Sequence, residues 1–264
     1  KNLKLLIFFA SLSRITMNKI AIIIPSRLDA QRLPNKPLKL INNKEMILHV
    51  YELAVNAKVG DVVVATPDKQ IIDVITSKGG KAALTKKDHQ TGTDRVFEVF
   101  KNELNKEPDI IINLQGDMPN LKPLSIIKLI QHMKKGVCDI ATLASDLKGG
   151  QEMKEENICK VVSKEDIKIT DFSRAIDFYR LKKDKLLNHV YHHVGIYAFT
   201  NEALMRYVSL KRSKLEIKRK LEQLRALENN MKIDVGYINT SPLSVDTEKD
   251  LIDIKKIMEN NVKK

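Results

Sequence analysis

Three cations stand in the loop that follows the first apolar run of the chain. The run KIAIIIP at residues 19–25 leads into a proline-stiffened loop, PSRLDAQRLPNKPL, which contains Arg27, Arg32 and Lys36. Guanidinium and ammonium groups, together with backbone N–H groups, can hold a triphosphate. The loop has neither a GxxxxGK pattern nor a dinucleotide-binding fingerprint. A surface loop with ordinary charges is the alternative, but this density of cations and prolines after a buried strand favours an anion-binding site.

A carboxylate follows the apolar run DIIINL at residues 109–114, within the segment QGDMP. At the carboxyl end of a central strand, Asp117 is well placed to bind Mg²⁺ beside nucleotide phosphates, because this ion prefers oxygen ligands. Gly116 lets the backbone approach a ligand closely. An ordinary turn that begins at the aspartate, before Pro119, is the alternative.

A second aspartate, Asp246, lies in the segment PLSVDTEKDL at residues 242–251, between a predicted short strand and the last predicted helix. It is either the cap residue of that helix or a second Mg²⁺ ligand that the fold brings beside Asp117. The residues alone leave both roles open.

The segment KKDHQTGTDRV at residues 86–96 places helix-capping residue types in a row at positions 91–94. A helix start is therefore predicted here. The free backbone N–H groups of a helix N-terminus can also bind a nucleotide. A structural role and a binding role are equally compatible with this segment.

Strands and helices alternate in the first half of the chain, which predicts an α/β fold with a mainly parallel sheet. Strands are predicted at 19–25, 61–65, 81–84 and 109–114, and helices at 45–58, 67–78 and 93–104. Ligands of open α/β sheets bind at the carboxyl ends of the strands. The charged loops described above are therefore expected to meet at one edge of the sheet.

The alternation loosens after residue 149. Strands are predicted at 160–163, 167–170, 194–199 and 232–237, and helices at 218–228 and 247–259. The irregular stretch up to residue 191 is typical of a lid or a dimerisation arm. The runs NHVYHHVGIYAF and KLEQLRALEN by themselves indicate only a strand histidine and an amphipathic helix.

Composition restricts the class of protein. The chain has 264 residues, of which 43% are hydrophobic, and a formal net charge of +13. We interpret residues 17–264 as a single domain and residues 1–16 as an upstream extension outside the fold. The excess lysines are scattered, which argues against a nucleic-acid-binding protein. No later stretch of about 20 apolar residues predicts a membrane span, and the two unclustered cysteines are typical of a reducing compartment.

Six ordered segments resemble the CMP-Kdo synthetase family, where Kdo is 3-deoxy-D-manno-octulosonate. The segments are PSRLDAQRLPNKPL, DHQTGTDR, NLQGDMP, HHVGIYAFT, LEQLRALENN and VDTEKDL, and they extend over residues 20–258. The resemblance implies a Rossmann-like nucleotidyltransferase fold, with a mainly parallel sheet and an inserted dimerisation arm. It also implies transfer of CMP from CTP to Kdo, with Mg²⁺ as cofactor, by a cytoplasmic homodimer that serves lipopolysaccharide biosynthesis.

The resemblance further implies roles for individual residues. Catalysis is expected of Arg27, Lys36, Asp117 and Asp246, and the two aspartates are the expected metal ligands. Nucleotide binding is expected of Arg27, Arg32, Lys36, Thr91, Gly92, Thr93, Arg95 and Gln115. Sugar binding is expected of Gln115, His193, Glu222 and Gln223.

Several positions depart from the family pattern. Met118 replaces a glutamate, His192 replaces an arginine, and Arg219 stands where an acidic residue is usual. The segments FSRAIDF and VDTEKDL lack prolines of the pattern. Because these changes concern the sugar pocket and the arm, two alternatives remain: a cytidylyltransferase for another sugar acid, such as sialic acid, and an inactive nucleotide-binding paralogue.

Overall fold

The computed structural model describes residues 19–29, 31–181 and 187–262. The extension predicted for residues 1–16 lies outside the described residues. Over the described residues, a nine-stranded sheet forms the centre of the molecule, and a separate two-stranded ribbon flanks it. None of the helices described is long and apolar enough to cross a membrane.

The strands begin and end as follows: β1 (Ile20–Pro25), β2 (Leu40–Ile41), β3 (Lys44–Glu45), β4 (Asp61–Thr66), β5 (Ala82–Leu84), β6 (Ile110–Leu114), β7 (Ile140–Ser145), β8 (Lys160–Ser163), β9 (Phe172–Tyr179), β10 (Val190–Thr200) and β11 (Ile233–Tyr237). The helices are α1 (Met46–Asn56), α2 (Lys69–Ser77), α3 (Gly92–Asn102), α4 (Pro123–Met133), α5 (Gly149–Lys154), α6 (Ile167–Thr170), α7 (Asn201–Ser209), α8 (Lys214–Arg219), α9 (Leu224–Glu228) and α10 (Glu248–Val262). A 3-10 turn, Lys36–Leu38, lies in the first loop.

The sheet has the strand order β5-β4-β1-β6-β10-β7-β11-β9-β8. Its first four strands are parallel, as predicted. In the second half, β10 runs antiparallel to both β6 and β7, and β9 runs antiparallel to β8 and β11. The sheet is therefore mixed: it is parallel throughout in the half that begins the chain, and in the second half β7 and β11 also pair in parallel. A continuous apolar run indicates a strand that is buried on both faces, but it does not indicate the direction in which the strand runs.

The central strand β1 shows why this half is rigid. All six of its residues are buried, and successive side chains enter opposite core clusters: Ile22 and Ile24 face one cluster, while Ala21 and Ile23 face the other. Burial of each large aliphatic side chain contributes roughly 1.5–3 kcal/mol. Helices α1 and α4 pack over the first cluster, and α3 and α7 pack over the second. The carboxyl ends of β1 and β6 are thus held side by side.

Three predicted elements differ from the structure. Residues 167–170 form helix α6 instead of a strand, because the Asp166 side chain accepts a hydrogen bond from Lys168 N. The predicted short strand before Asp246 is an irregular segment. The helix predicted at 218–228 is interrupted, since Lys220 adopts a left-handed conformation with a φ of 55° between α8 and α9. The stretch predicted to be irregular up to residue 191 contains the eight-residue strand β9.

Candidate active site

A cleft of about 630 Å³ opens at the carboxyl ends of β1 and β6. Its walls come from three loops, which follow β1, precede α3 and follow β6, and from the segment that precedes α10. The residues that line it are Pro25, Ser26, Arg27, Asp29, Gln31, Arg32, Leu33, Lys36, Pro37, His89, Gln90, Thr91, Gly92, Arg95, Gln115, Gly116, Asp117 and Asp246. The charged loops thus meet at one edge of the sheet, as the sequence predicts.

The loop after β1 is anchored by one apolar side chain. Leu33 is only 1% exposed and packs in a third core cluster with Val245 and Leu251. Asn35 then adopts a left-handed conformation with a φ of 57°, which turns the chain into the short 3-10 turn. Lys36 begins this turn and reaches into the cleft. The buried Leu33 side chain therefore holds this loop in the position in which Lys36 faces the cleft.

Lys36 bridges the two aspartates that the sequence analysis selected. Its Nζ lies 3.0 Å from Asp117 Oδ2 and 3.1 Å from Asp246 Oδ1. Arg32 Nη2 lies 3.1 Å from the other oxygen of Asp246. Residues 81 and 210 positions away from Lys36 in the chain therefore share one ammonium group.

These charges shift ionisation in the cleft. Burial alone would lower the pKa of Lys36, but the charges of Asp117 and Asp246 outweigh burial and hold that pKa above its ordinary value. Burial would raise the pKa of Asp246, but the charge and hydrogen bond of Lys36, together with the charge of Arg32, hold it below its ordinary value. Lys36 is therefore cationic and Asp246 anionic at neutral pH.

The backbone brings the two carboxylates together. Gly116, after β6, lies against the first loop, where a Cβ would come 3.3 Å from the carbonyl oxygen of Pro25. Val245 N donates to the carbonyl oxygen of Asp117 at 2.9 Å, which ties the distant segment to the end of β6. A side chain at position 116 would therefore be crowded against the first loop.

Asp246 does not cap the last helix. Thr247 has that role, because its Oγ1 accepts from Asp250 N at 3.2 Å and its own N–H donates to Asp250 Oδ2 at 2.8 Å. The N–H of Asp246 also donates to Asp250 Oδ2, at 3.0 Å. The Asp246 carboxylate is thus left to the cations of the cleft, and the interpretation as a plain cap is wrong.

Two facing carboxylates whose oxygens already share one cation are a suitable donor set for a divalent ion. Mg²⁺ takes hard oxygen ligands, commonly one or two carboxylates together with substrate phosphates and water. Asp117 and Asp246 supply such oxygens at the open end of the sheet, where phosphates can complete the coordination. These residues therefore fit the Mg²⁺ that the sequence analysis expects, although they do not select it over similar hard ions.

The start of α3 is a capped helix N-terminus that also borders the cleft. Thr91 and Asp94 form a capping box, in which Thr91 Oγ1 accepts from Asp94 N at 3.2 Å. Thr91 and Gly92 also line the cleft. Arg95 is buried beside them and donates to Thr85 Oγ1 and, at 2.8 Å, to the Lys86 carbonyl oxygen. Arg95 therefore stiffens the loop before α3 as well as lining the cleft.

Hydrogen bonds connect the cleft to the residues beneath it. Gln115 Nε2 donates to Asn113 Oδ1 at 2.8 Å, and Asn113 Nδ2 donates to Thr93 Oγ1 at 3.1 Å. Thr93 Oγ1 donates to Glu222 Oε1, also at 3.1 Å. Thr93 is buried and belongs to this chain of bonds instead of lining the cleft. We call Gln115, Asn113, Thr93 and Glu222 the polar relay.

Three of the four residues expected to bind sugar lie outside the lining of the cleft. Glu222 and Gln223 border a separate, much smaller cavity with Tyr207. His193 is buried, its Nε2 lies 2.9 Å from Thr142 Oγ1, and burial lowers its pKa to about 3. Burial also raises the pKa of Glu222, against the opposing effect of its hydrogen bonds to threonines. Only Gln115 of this set reaches the cleft directly.

The departures from the family pattern are taken up by internal contacts. Met118 is 4% exposed in the core. His192 Nδ1 lies 3.2 Å from Glu152 Oε2, and Arg219 donates to Asp177 and, at 2.8 Å, to the Phe178 carbonyl oxygen. None of the three lines the cleft.

Sequence reasoning passed over other residues of the cleft wall. His89 lines the cleft and forms a short hydrogen bond with Glu98, whose oxygen also accepts from Lys86 N at 3.0 Å. Gln31 and Gln90 line it as well. His89 and Gln90 lie directly before the capping residues of α3 in the DHQTG segment. Their position beside a predicted helix start is the signal that could have identified them.

Comparisons with known proteins agree with this geometry. A family model described as cytidylyltransferase matches residues 21–233. The chain is 40% identical to the 3-deoxy-manno-octulosonate cytidylyltransferase of Bartonella henselae over 90% of this chain and 97% of that one. It is 41% identical to the enzyme of the same name from Brucella ovis, over 88% and 93% of the two chains.

A solved structure gives the same result. The structure of CMP:2-keto-3-deoxy-manno-octonic acid synthetase complexed with CTP superposes with a TM-score of 0.83 at 35% identity, and the match covers 92% of this chain and 99% of that one. The predicted nucleotidyltransferase fold is thereby confirmed. The chain belongs to the cytidylyltransferase family and, within it, to the 3-deoxy-manno-octulosonate cytidylyltransferases.

Proposed function

We propose that the protein transfers CMP from CTP to Kdo and releases pyrophosphate. The observation that carries the proposal is the bridge from Lys36 to Asp117 and Asp246, at the carboxyl ends of the central strands. It places paired carboxylates and a cation where a nucleotide triphosphate and an acceptor hydroxyl can meet. The names of the relatives supply the identity of the acceptor.

In this reaction the anomeric oxygen of Kdo forms a bond with the α-phosphorus of CTP. The bond from that phosphorus to the bridging oxygen of pyrophosphate breaks, and the hydroxyl proton leaves to solvent. Negative charge builds on the transferring group and on pyrophosphate, so positioned cations supply most of the catalysis. Arg27, Arg32 and Lys36 are the cations of the cleft wall with this role.

Asp117 and Asp246 are the residues that would hold Mg²⁺. When bound, this ion acts as a Lewis acid that lowers the pKa of the attacking hydroxyl and neutralises phosphate charge. Thr91, Gly92 and Gln115 line the wall beside the triphosphate loop and are proposed to bind the cytidine part. Arg95 lines the same wall and stiffens it through its hydrogen bond to the Lys86 carbonyl oxygen, and Thr93 supports the wall from behind.

We retain His193, Glu222 and Gln223 as residues that act on the sugar, although they lie beneath the cleft. For Glu222 the polar relay offers a route, because its hydrogen bonds fix the orientation of the Gln115 amide. Glu222 is then a positioning residue. A homodimer formed through the inserted arm, a cytoplasmic location and a part in lipopolysaccharide biosynthesis complete the proposal.

The test is pyrophosphate release from CTP and Mg²⁺, with and without Kdo. We expect release that depends on Kdo and disappears when ATP replaces CTP or when a chelator is added. Turnover of N-acetylneuraminate in the same assay distinguishes a sialic acid enzyme. Folded protein that binds CTP but releases no pyrophosphate with Kdo would contradict the proposed acceptor, and failure with every 2-keto sugar acid would indicate an inactive paralogue.

A further inference from the structure

A second group of potential metal ligands lies at the edge of the sheet opposite the cleft. His132 is in the last turn of α4, Cys138 is just before β7, and Asp234 is the second residue of β11. Strands β7 and β11 run in the same direction as β1 and β6, because β10 is antiparallel to both β6 and β7. The cleft is at the carboxyl ends of these strands, so this group is at their amino ends.

The three side chains converge closely and are almost fully enclosed. A ring nitrogen of His132, Sγ of Cys138 and a carboxylate oxygen of Asp234 all lie within 4.8 Å of one another. Each of the three residues is 6% exposed. Among the residues that the structure describes, no other group of three or more His, Cys, Asp or Glu side chains brings its ligand atoms within 4.8 Å of one another.

Neighbouring side chains hold two of the ligands in place. His132 Nε2 lies 2.8 Å from Asp234 Oδ2, and Arg174 Nε lies 3.2 Å from Asp234 Oδ1. The ring of Phe172 stacks on the imidazole at a centroid distance of 3.8 Å and an interplanar angle of 5°. A Cβ at position 236 would collide with the Phe172 ring, so the glycine at this position leaves room for it. Supporting contacts of this kind orient ligands in metal sites.

The hydrogen bonding of the group is incomplete. His132 Nδ1 and Arg174 Nη1 are both buried without a hydrogen-bond partner among the described residues. Cys138 Sγ has the weak acceptor Met133 Sδ at 3.7 Å. Polar groups in such surroundings are costly unless another interaction compensates them.

We propose that His132, Cys138 and Asp234 form a binding site for a Zn²⁺-like divalent ion, separate from the Mg²⁺ site of the cleft. A set of nitrogen, sulfur and oxygen donors favours borderline ions such as Zn²⁺, whereas Mg²⁺ takes oxygen ligands. Three protein ligands leave room for one water molecule in a tetrahedral arrangement. The role of the ion is structural, since it joins α4, the loop before β7 and β11 at a distance from the cleft.

Binding requires one change of protonation. The Cys138 thiol loses its proton to solvent and the thiolate sulfur bonds to the ion, while His132 binds through a neutral ring nitrogen. The charges of thiolate and carboxylate then balance the charge of the ion, and Arg174 stays on the other oxygen of Asp234.

The test uses the full chain after dialysis against a chelator, with Co²⁺ as a spectroscopic substitute for Zn²⁺. Cys138→Ser removes the proposed sulfur ligand. Cys159→Ser is a matched control, because Cys159 is the other cysteine of the chain and its sulfur meets Gln223 Nε2 at 3.6 Å, away from this group. With excess Mg²⁺ present to occupy the cleft, we expect the original chain and Cys159→Ser to bind one Co²⁺ with a thiolate-to-metal charge-transfer band. Cys138→Ser should lack that band.

Two results would overturn the proposal. One is the absence of a thiolate band in the original chain, and the other is a band that is lost in Cys159→Ser instead of Cys138→Ser. The original chain alone can contradict the proposal, however well Cys138→Ser folds. In addition, Zn²⁺ should raise the melting temperature of the original chain, and excess Mg²⁺ should not displace Co²⁺.

Discussion

Two clusters of carboxylates and cations in this molecule differ in how completely their oxygens are used. In the cleft, Asp117 and Asp246 share Lys36 and face an open volume. Under α9, Glu216 is 1% exposed and Arg225 is 4% exposed. Both clusters have close ion pairs, yet only the first leaves oxygens accessible to a ligand.

The buried cluster is saturated. Glu216 accepts two hydrogen bonds from Arg225, at 2.7 and 2.9 Å, one from Arg212 at 3.0 Å and one from Ser213 N at 3.1 Å. A carboxylate with four donors has no capacity left for a substrate or a metal ion. The difference shows that the number of unused oxygens, and not charge alone, separates a site from a structural ion pair.

The largest effect is expected for Asp117→Asn. Removing this charge should lower turnover about 10³-fold, equal to about 4 kcal/mol of activation free energy, because the proposed Mg²⁺ would lose one of its two carboxylate ligands. The melting temperature should change little. Steady-state pyrophosphate release and thermal unfolding measure the two quantities. The exposed Asp73→Asn on α2 is the matched control, and near-normal turnover of Asp117→Asn would remove Asp117 from the mechanism.

Glu216→Gln should show the opposite pattern. It leaves the Arg225 guanidinium buried without its counter-charge, so the free energy of unfolding should fall by about 3 kcal/mol while turnover of the folded fraction is kept. Denaturant unfolding and activity at low temperature separate these effects. The double variant Glu216→Leu with Arg225→Met, which removes both charges, should recover part of the loss. A turnover defect without loss of stability would show that this cluster belongs to the site after all.

His193 should give a smaller, pH-dependent effect in the buried region. Burial lowers its pKa to about 3, from an ordinary value of 6.5. Below pH 6.5 the unfolded chain binds a proton that the folded chain does not, so stability falls with falling pH. Between pH 7 and pH 5 the loss should be about 2 kcal/mol. His193→Gln should be free of this dependence in denaturant unfolding, and an equal dependence in both proteins would assign it to other groups.

The smallest effect is expected on the free energy of unfolding when Lys36→Met removes the bridge. The pKa of Asp246 is depressed below 3.8, so the stabilisation by Lys36 is present above that pH and is lost as pH falls through the lower folded value. The pKa of Lys36 is raised above 10.5, so its contribution is lost only as pH rises beyond that value. Because the pair is partly exposed, we expect no more than about 1 kcal/mol between the original chain and Lys36→Met. That difference should be constant between those limits, and a change near neutral pH would contradict the assignment.

More of the cleft than of the other parts of the molecule could be predicted from the sequence. Arg27, Lys36 and Asp117 lie in loops that follow continuous apolar strands, and strands β1 and β6 place these loops together by topology alone. The bridge from Lys36 to Asp246 could not be foreseen, because a spacing of 210 residues has no local signal. Nor could the cap at Thr247, since Asp246 and Thr247 are both good capping residues.

The second half of the chain was harder to predict for physical reasons. The run 218–228 has strong helix formers throughout, yet Lys220 takes a left-handed conformation at the end of the capped helix α8. Strand β9 escaped prediction because its burial pattern lacks regular alternation. The burial of His193 and Glu222 depends on tertiary packing, which local patterns do not report.

The Lys36 bridge has a consequence for the time at which the cleft is completed during synthesis. Asp246 and the Val245 amide, which bonds to the Asp117 backbone, enter the chain about 130 residues after Asp117 and 210 residues after Lys36. Domains form while ribosomes add roughly 5–20 residues each second. Lys36 and Asp117 are therefore made many seconds before Asp246. Leu33, which anchors the loop of Lys36, also waits in that interval for its core partners Val245 and Leu251.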